Sequence, residues 1–212
     1  PSQYGVVDLA GQTVQAITEQ PRPELVTSEF INAGVYAFQP DIFAAIRELE
    51  THGEQALTAA LTPFIETERL HAVRYDGLWV DVSVPWDLLT VTDSLLAYHG
   101  PPDGQAPSAR IDESAVVADD AVLGDDVVVH PQAAVLRGVA LGENVRVGPG
   151  VILEDAILLP DVTLKRGAVV TDCVVGANAT IGANTTIEGG ATDVVLDDTV
   201  YHDVSFGGLI GD

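Results

Sequence analysis

From Ile111 to Ile187 a large aliphatic residue returns at a step of six, a period that fits neither an α-helix nor a lone strand. The positions are Ile111, Val117, Leu123, Val129, Val135, Leu141, Val147, Leu153, Leu158, Leu164, Val170, Val175, Ile181 and Ile187. Two steps are one residue short, and both contain an Asp, a small residue and an aliphatic pair: Asp155-Ala-Ile-Leu158 and Asp172-Cys-Val-Val175. Four residues after each aliphatic comes a second small or aliphatic residue: Ala115, Ala121, Val127, Ala133, Val139, Val145, Val151, Ile157, Val162, Ala168, Val174, Ala179, Thr185 and Ala191. Chance yields such a run roughly once in several thousand sequences of this aliphatic content.

One large and one small inward residue per hexad predict a left-handed parallel β-helix. Three hexads close one triangular coil, the large aliphatic fills each face and the small residue fits the corner. Roughly five coils at a spacing of ~4.8 Å give an all-β prism a little over 20 Å long. Its flat faces invite side-by-side packing, so a homo-oligomer, specifically a trimer, is expected.

Before the repeat the pattern is mixed. The stretch Gly100-Pro-Pro-Asp-Gly-Gln-Ala-Pro107 fits neither strand nor helix, which places a linker over residues 100–110. An α/β region precedes it over 1–99, the β-helix spans 111–192, and an irregular tail covers 193–212. Within the first region Tyr4–Leu9 and Val14–Thr18 read as strands around a turn, and Phe30–Phe38 as a buried strand. Pro40 can open a helix over Asp41–Leu49, and Ala56–Ile65 reads as a helix interrupted at Pro63. Leu70–Tyr75 and Leu78–Val82 read as a hairpin. A last helix from Pro85 would carry Leu88, Leu89, Leu95 and Leu96 on one side.

Charge narrows the function. The 212 residues carry 9 Lys plus Arg against 32 Asp plus Glu, a net charge of −23. Nucleic acid and anionic membranes both require clustered basic residues, so neither is an expected partner. A hydrophobic content of 47% excludes a disordered acidic chain. Lys165 is the one lysine, a composition that suits a halophile's salt-rich cytoplasm, where concentrated ions screen self-repulsion. The single cysteine, Cys173, rules out an internal disulfide and fits a cytoplasmic location. The chain starts at Pro1 without Met or a basic leader, so the gene product is expected to begin upstream and the C-terminus also to be cut short.

Five motifs in order carry a resemblance. They are Tyr4-Gly5-Val6-Val7; Glu19-Gln20-Pro21; Ile31-Asn32-Ala33-Gly34-Val35-Tyr36; Gly53-Glu54 with Leu57-Thr58; and Trp79-Val80-Asp81 with Pro85-Trp86-Asp87-Leu88-Leu89. Together they resemble the C-terminal part of the Rossmann-like sugar-1-phosphate nucleotidylyltransferase domain. With a left-handed β-helix behind it, the chain is similar to the long archaeal members that make UDP- or dTDP-activated glucose or N-acetylglucosamine. The resemblance implies that a sugar 1-phosphate attacks a nucleoside triphosphate, UTP or dTTP, releasing pyrophosphate with Mg2+ as cofactor. It further implies that Gly5, Glu19 and Asn32 hold the sugar and Asp81 the metal. The family's Gly-rich triphosphate loop is absent from these residues, so the chain alone is expected to be inactive. Three positions depart from the pattern: Gln20 replaces a lysine that meets the sugar's phosphate, Ala59 an Asp, and Ser83-Val84 a Gly-Thr pair. Arg22 or Arg74 could replace the lost lysine.

Two other readings stay open. Many hexad repeats belong to acyltransferases acting on a sugar or nucleotide-sugar, with a histidine as general base; His130 and His202 are the candidates here. The chain could also be a non-catalytic regulatory or assembly subunit. His52, His71 and His99 show no metal-ligand spacing.

Overall fold

The computed structural model describes residues 3–49, 55–99, 106–196 and 199–211, without the side chains of Gln55, Ala56 and His99. The Gly53-Glu54 motif, His52 and most of the Gly100–Pro107 stretch lie outside the described residues. The chain divides into two compact units, Pro1–Trp79 and Val80–Asp212.

The first unit is built on an antiparallel ribbon of β1 (Val6–Ala10) and β2 (Thr13–Thr18). Its turn is possible because Gly11 adopts φ +66°, where an L side chain is strained. Backbone bonds add a short segment to each edge. Val7 N–H donates to the Phe30 carbonyl at 2.9 Å and Asn32 N–H to the Gly5 carbonyl at 2.7 Å, beside β1. Val14 N–H donates to Leu70 and Ala72 N–H to Gln12 beside β2.

These edge contacts correct two expectations. Phe30–Phe38 is not a buried strand but a single bridge at Ile31, and the Leu70–Val82 hairpin is a single bridge at His71. A strand persists only while a neighbour takes up its N–H and C=O groups. Among the described residues no further backbone ladder joins either segment to the ribbon, and Val35 and Val73 are 87% and 93% exposed. Helices α1 (Ile42–Glu48) and α2 (Gln55–Glu66) cover the ribbon through Ile42, Ala60 and Leu61, packed with Ile17 and Leu70. Pro63 lies inside α2 without ending it.

The second unit opens with α3 (Asp87–His99). Its Leu stripe is not one buried face: Leu88 and Leu95 are exposed, whereas Leu89 and Leu96, seven apart and therefore aligned, are partly buried. Three columns of parallel strands follow. The first stacks β3 (Arg110–Ile111), β6 (Val128–Val129), β9 (Arg146–Val147), β11 (Thr163–Leu164) and β13 (Thr180–Ile181). The second stacks β4 (Val116–Val117), β7 (Ala134–Val135), the start of β10 (Ile152–Leu158), the start of β12 (Val169–Val175) and β14 (Thr186–Ile187). The third stacks β5 (Val122–Leu123), β8 (Ala140–Leu141) and the ends of β10 and β12. This is a parallel β-solenoid of about five turns, the architecture of a left-handed β-helix.

The large inward positions from Leu123 to Ile181 are all buried, and Ile111, Val117 and Ile187 pack against them from the ends. The residue before most inward small residues is left-handed: Asp126, Asn144, Asp161 and Asn178, at φ 55–64°, stack at one corner. Short polar side chains tolerate that region best after glycine. Asp155 and Asp172 do the same inside β10 and β12, at φ 45° and 52°. This explains the two short steps and corrects the inward register at the first, where Ala156 is fully buried and Ile157 only partly so; at the second, Cys173 and Val174 are both buried. Arg137 clasps the first of these corners, 2.8 Å from Asp155 and 3.1 Å from Glu154.

The tail is not irregular. Strands β15 (Ala191–Leu196) and β16 (Thr199–Ser205) form an antiparallel hairpin. Then β17 (Gly208–Ile210) returns to complete the third column against Cys173–Val175. Ala191, expected to point inward, is exposed on this hairpin. Gly207, just before β17, has no room for a side chain, since a Cβ there would lie 2.5 Å from the Thr171 carbonyl.

Cys173 is fully buried, and burial pushes its thiol up to about 11. A thiolate is the reactive form, so Cys173 should resist a disulfide reagent at pH 8 in the native protein and react within minutes in guanidinium. Timed thiol labelling checks this; fast native labelling would place Cys173 outside the packed corner. Among the described residues no helix is long and apolar enough to cross a membrane.

Candidate functional site

Gly5, Glu19 and Asn32 come together at one end of the β1–β2 ribbon. Gly5 immediately precedes β1 and Glu19 follows β2, so antiparallel pairing brings them side by side. A Cβ on Gly5 would stand 2.9 Å from both Glu19 carboxylate oxygens, so only glycine leaves that carboxylate its place. The Gly5 carbonyl accepts the Asn32 N–H, which fixes the third residue on the other side.

Neighbouring side chains orient this trio. Thr58 on α2 donates its hydroxyl to Glu19 Oε1 at 2.8 Å. Asn32 Nδ2 donates to the Tyr36 hydroxyl, and Asn32 Oδ1 accepts the Gly34 N–H at 3.1 Å. Gly34 has φ +74°, which lets the chain fold back onto the amide. Trp79 Nε1 donates to the Ala33 carbonyl at 3.1 Å, and the Tyr4 ring meets Trp79 edge-on at 5.2 Å. By donor and acceptor inventory the Asn32 amide keeps one N–H and one lone pair, and Glu19 keeps several lone pairs. A half-buried amide beside an exposed carboxylate suits hydroxyl groups, which both donate and accept.

Thr58, Tyr36 and Tyr4 all stand within the quoted motifs, yet the sequence assigned none of them a role. Their signal was available only as spacing: Tyr36 is four residues from Asn32, but in a non-helical segment, so no periodicity marks the pair. Gln20, where a lysine was expected, has φ +42° and an exposed side chain. Arg74 lies over the Phe30 ring at 4.5 Å.

Asp81 belongs to the second unit. It is exposed, and the Ser83 hydroxyl donates to its Oδ2 at 2.6 Å. Next to it, Asp87 at the start of α3 accepts the amides of Ser83 and Val84 on its Oδ2 at 2.8 and 2.9 Å, which holds the segment leading from Asp81 into the helix. Among the described residues no three His, Cys, Asp or Glu converge as a metal cage. One carboxylate still fits a magnesium ion shared with substrate phosphates, because Mg2+ keeps several waters and needs only one or two protein carboxylates.

The two histidines occupy different elements. His130 is exposed at the corner after β6, its N–H donated to the Val147 carbonyl. Asp112, one coil earlier, has its carboxyl lowered chiefly by the Ser114 hydroxyl and then by the Ser114 amide, with His130 the smallest influence. His202 Nδ1 lies 3.1 Å from Asp193 Oδ2 on the exposed hairpin.

Comparison with known proteins follows the same division. A model of the nucleotidyl transferase family matches residues 1–98, and a model of the GMPPB C-terminal domain matches residues 128–205. A "Bifunctional protein GlmU" of Methanococcus maripaludis strain C5 is 38% identical over 99 residues, 45% of this chain and 24% of the relative. A "Bifunctional sugar-1-phosphate nucleotidylyltransferase/acetyltransferase" of Sulfurisphaera tokodaii is 34% identical over 94 residues, 43% of this chain and 23% of the relative. A protein of Sulfolobus acidocaldarius, named as a candidate mannose-1-phosphate guanyltransferase, is 29% identical over 117 residues, 54% of this chain and 30% of the relative. The matches thus span about a quarter of these curated relatives.

Proposed function

We propose that this chain, whose residues 1–98 match a model of the nucleotidyl transferase family, is the sugar-binding and oligomerising part of a sugar-1-phosphate nucleotidylyltransferase. The observation that carries this is the convergence of Glu19 and Asn32 on Gly5, held by Thr58 and Tyr36. In this reading Glu19 and Asn32 bind sugar hydroxyls, and the Gly5 backbone lets the sugar approach closely. The sugar phosphate oxygen attacks the α-phosphate of UTP or dTTP and pyrophosphate leaves. A bound Mg2+ would neutralise the phosphate charge, with Asp81 as the carboxylate this chain contributes. With Gln20 in the lysine's place, phosphate neutralisation falls to Arg22 or Arg74.

The β-helix serves in this reading as an assembly scaffold for a trimer. Support comes from the outer side of its second column, where Val116, Ala134, Ile152 and Val169 stand in register and Val116 and Ile152 are exposed. Contiguous outward aliphatics mark an interaction surface better than isolated ones do. A second reading, acyl transfer on the β-helix with His130 or His202 as base, is favoured by the word acetyltransferase in the Sulfurisphaera relative's name. The exposure of both histidines weighs against it, since a general base works best in a desolvated cleft. The scarcity of lysine supports a halophile's salt-rich cytoplasm as the setting.

The test separates this chain from the complete protein. Calorimetric titration with UTP and dTTP should show no binding to residues 1–212 and magnesium-dependent binding to the full gene product. Tight nucleotide binding by residues 1–212 alone would overturn this placement of the triphosphate site.

A further inference from the structure

Asp81 lies between two tryptophans that are anchored in different units. Trp79, two residues before it, is fixed within the first unit by the Ala33 carbonyl and the Tyr4 ring. Trp86, five residues after it, is fixed within the second. Its ring meets Tyr201 edge-on at 5.2 Å and Phe206 at 5.8 Å with a 60° tilt. Tyr201 lies on β16 and Phe206 just beyond, so the partners of Trp86 come from the C-terminal tail. Between Trp86 and Asp81 the contacts are continuous. Val84 is buried, Asp87 holds the amides of Ser83 and Val84, and the Ser83 hydroxyl holds Asp81.

A six-residue irregular segment without such contacts would sample many conformations, and a ligand carboxylate on it would lose affinity to that freedom. We propose that the Trp86–Tyr201–Phe206 cluster is a clasp through which the C-terminal tail positions Asp81 for metal binding. The proposal rests on the reading of Asp81 as the metal-holding carboxylate. It gives the β-helical half a part in nucleotidyl transfer beyond assembly. Tyr201 and Phe206 are positioning residues: they act through Trp86 and Ser83.

The experiment uses the complete protein with Tyr201→Ala or Phe206→Ala. Mn2+ binding in the presence of UTP is read by paramagnetic resonance, and Trp86 emission is read in a Trp79→Phe background. Loss of a supporting contact should weaken metal binding about tenfold and shift Trp86 emission to the red. The KM for sugar 1-phosphate should stay within about twofold, and Tyr201→Phe, which keeps the ring, should restore metal binding. If an alanine variant does not fold, Tyr201→Leu or Phe206→Leu fills the space without an aromatic edge. A red shift with unchanged Mn2+ affinity, or no red shift at all, overturns the clasp. Asp81→Asn separates the two levels: normal Mn2+ binding in that variant defeats the reading of Asp81 itself. Weakened binding there with none in Tyr201→Ala defeats the clasp alone.

Discussion

Val147→Asp should unfold the β-helix. Val147 is fully buried in the central coil, in register with Val129 above and Leu164 below, both buried as well. An aspartate there is an unpaired charge in a close-packed apolar column with no polar group to satisfy it. The cost is more than about 4 kcal/mol, a large share of the ~5–15 kcal/mol that stabilises a typical domain. Because each coil is supported only by its neighbours, a break in the middle leaves two short stacks, neither with enough buried surface to persist. Circular dichroism should show loss of the strand signal, and sedimentation should show loss of the proposed trimer. A variant with a wild-type spectrum and melting temperature would mean that the column is not the stabilising core.

Salt acts on the same unit. At −23 per chain, repulsion within and between subunits grows as the screening length rises from ~3 Å at 1 M salt to ~30 Å at 0.01 M. Fold and proposed trimer should therefore weaken together on transfer from molar to millimolar potassium chloride. A monomer in molar salt would contradict the proposed trimer, and an unchanged melting temperature would contradict the proposed adaptation to salt.

The second large effect is catalytic. Asp81→Asn in the complete protein should lower turnover by a few kcal/mol of barrier, on the order of a hundredfold or more, through loss of metal charge compensation. The fold should be nearly unaffected, because Asp81 is exposed and an asparagine oxygen can still accept the Ser83 hydroxyl. Steady-state kinetics with a melting curve decide it; wild-type turnover with normal oligomer size would leave Asp81 a structural residue. The site's tolerance of Gln20 is tested alongside: Gln20→Lys should change activity measurably if phosphate is neutralised by other groups.

The β-helix was legible because one physical rule repeats: an inward aliphatic every hexad fills the prism, and no other period satisfies the pattern. Its exceptions were also visible, as an Asp, a small residue and an aliphatic pair in both short steps. Counting four from each aliphatic chose Ile157, whereas the Asp155 turn selects Ala156. The first unit was less legible, since whether Phe30–Phe38 or Leu70–Val82 forms a strand depends on neighbours that hydrophobicity does not reveal. The tail lacked a period because β15 and β16 form an exposed hairpin that leaves the coil before β17 rejoins it. Gly5, Glu19 and Asn32, the proposed sugar-side residues, stand out only through motif resemblance. The contacts that orient them, from Thr58, Tyr36 and Trp79, depend on tertiary packing and left no local pattern.

The central claim, that this chain supplies the sugar side of a nucleotidyl transfer, is tested most directly by pyrophosphate release from the complete protein. UTP, dTTP or GTP would be supplied with magnesium, and glucose, N-acetylglucosamine or mannose 1-phosphate added in turn. Release should require both a triphosphate and one sugar 1-phosphate, with Glu19→Ala and Asn32→Ala raising the KM for the sugar more than for the nucleotide. No release with any pairing, or release equally fast in both variants, would contradict it.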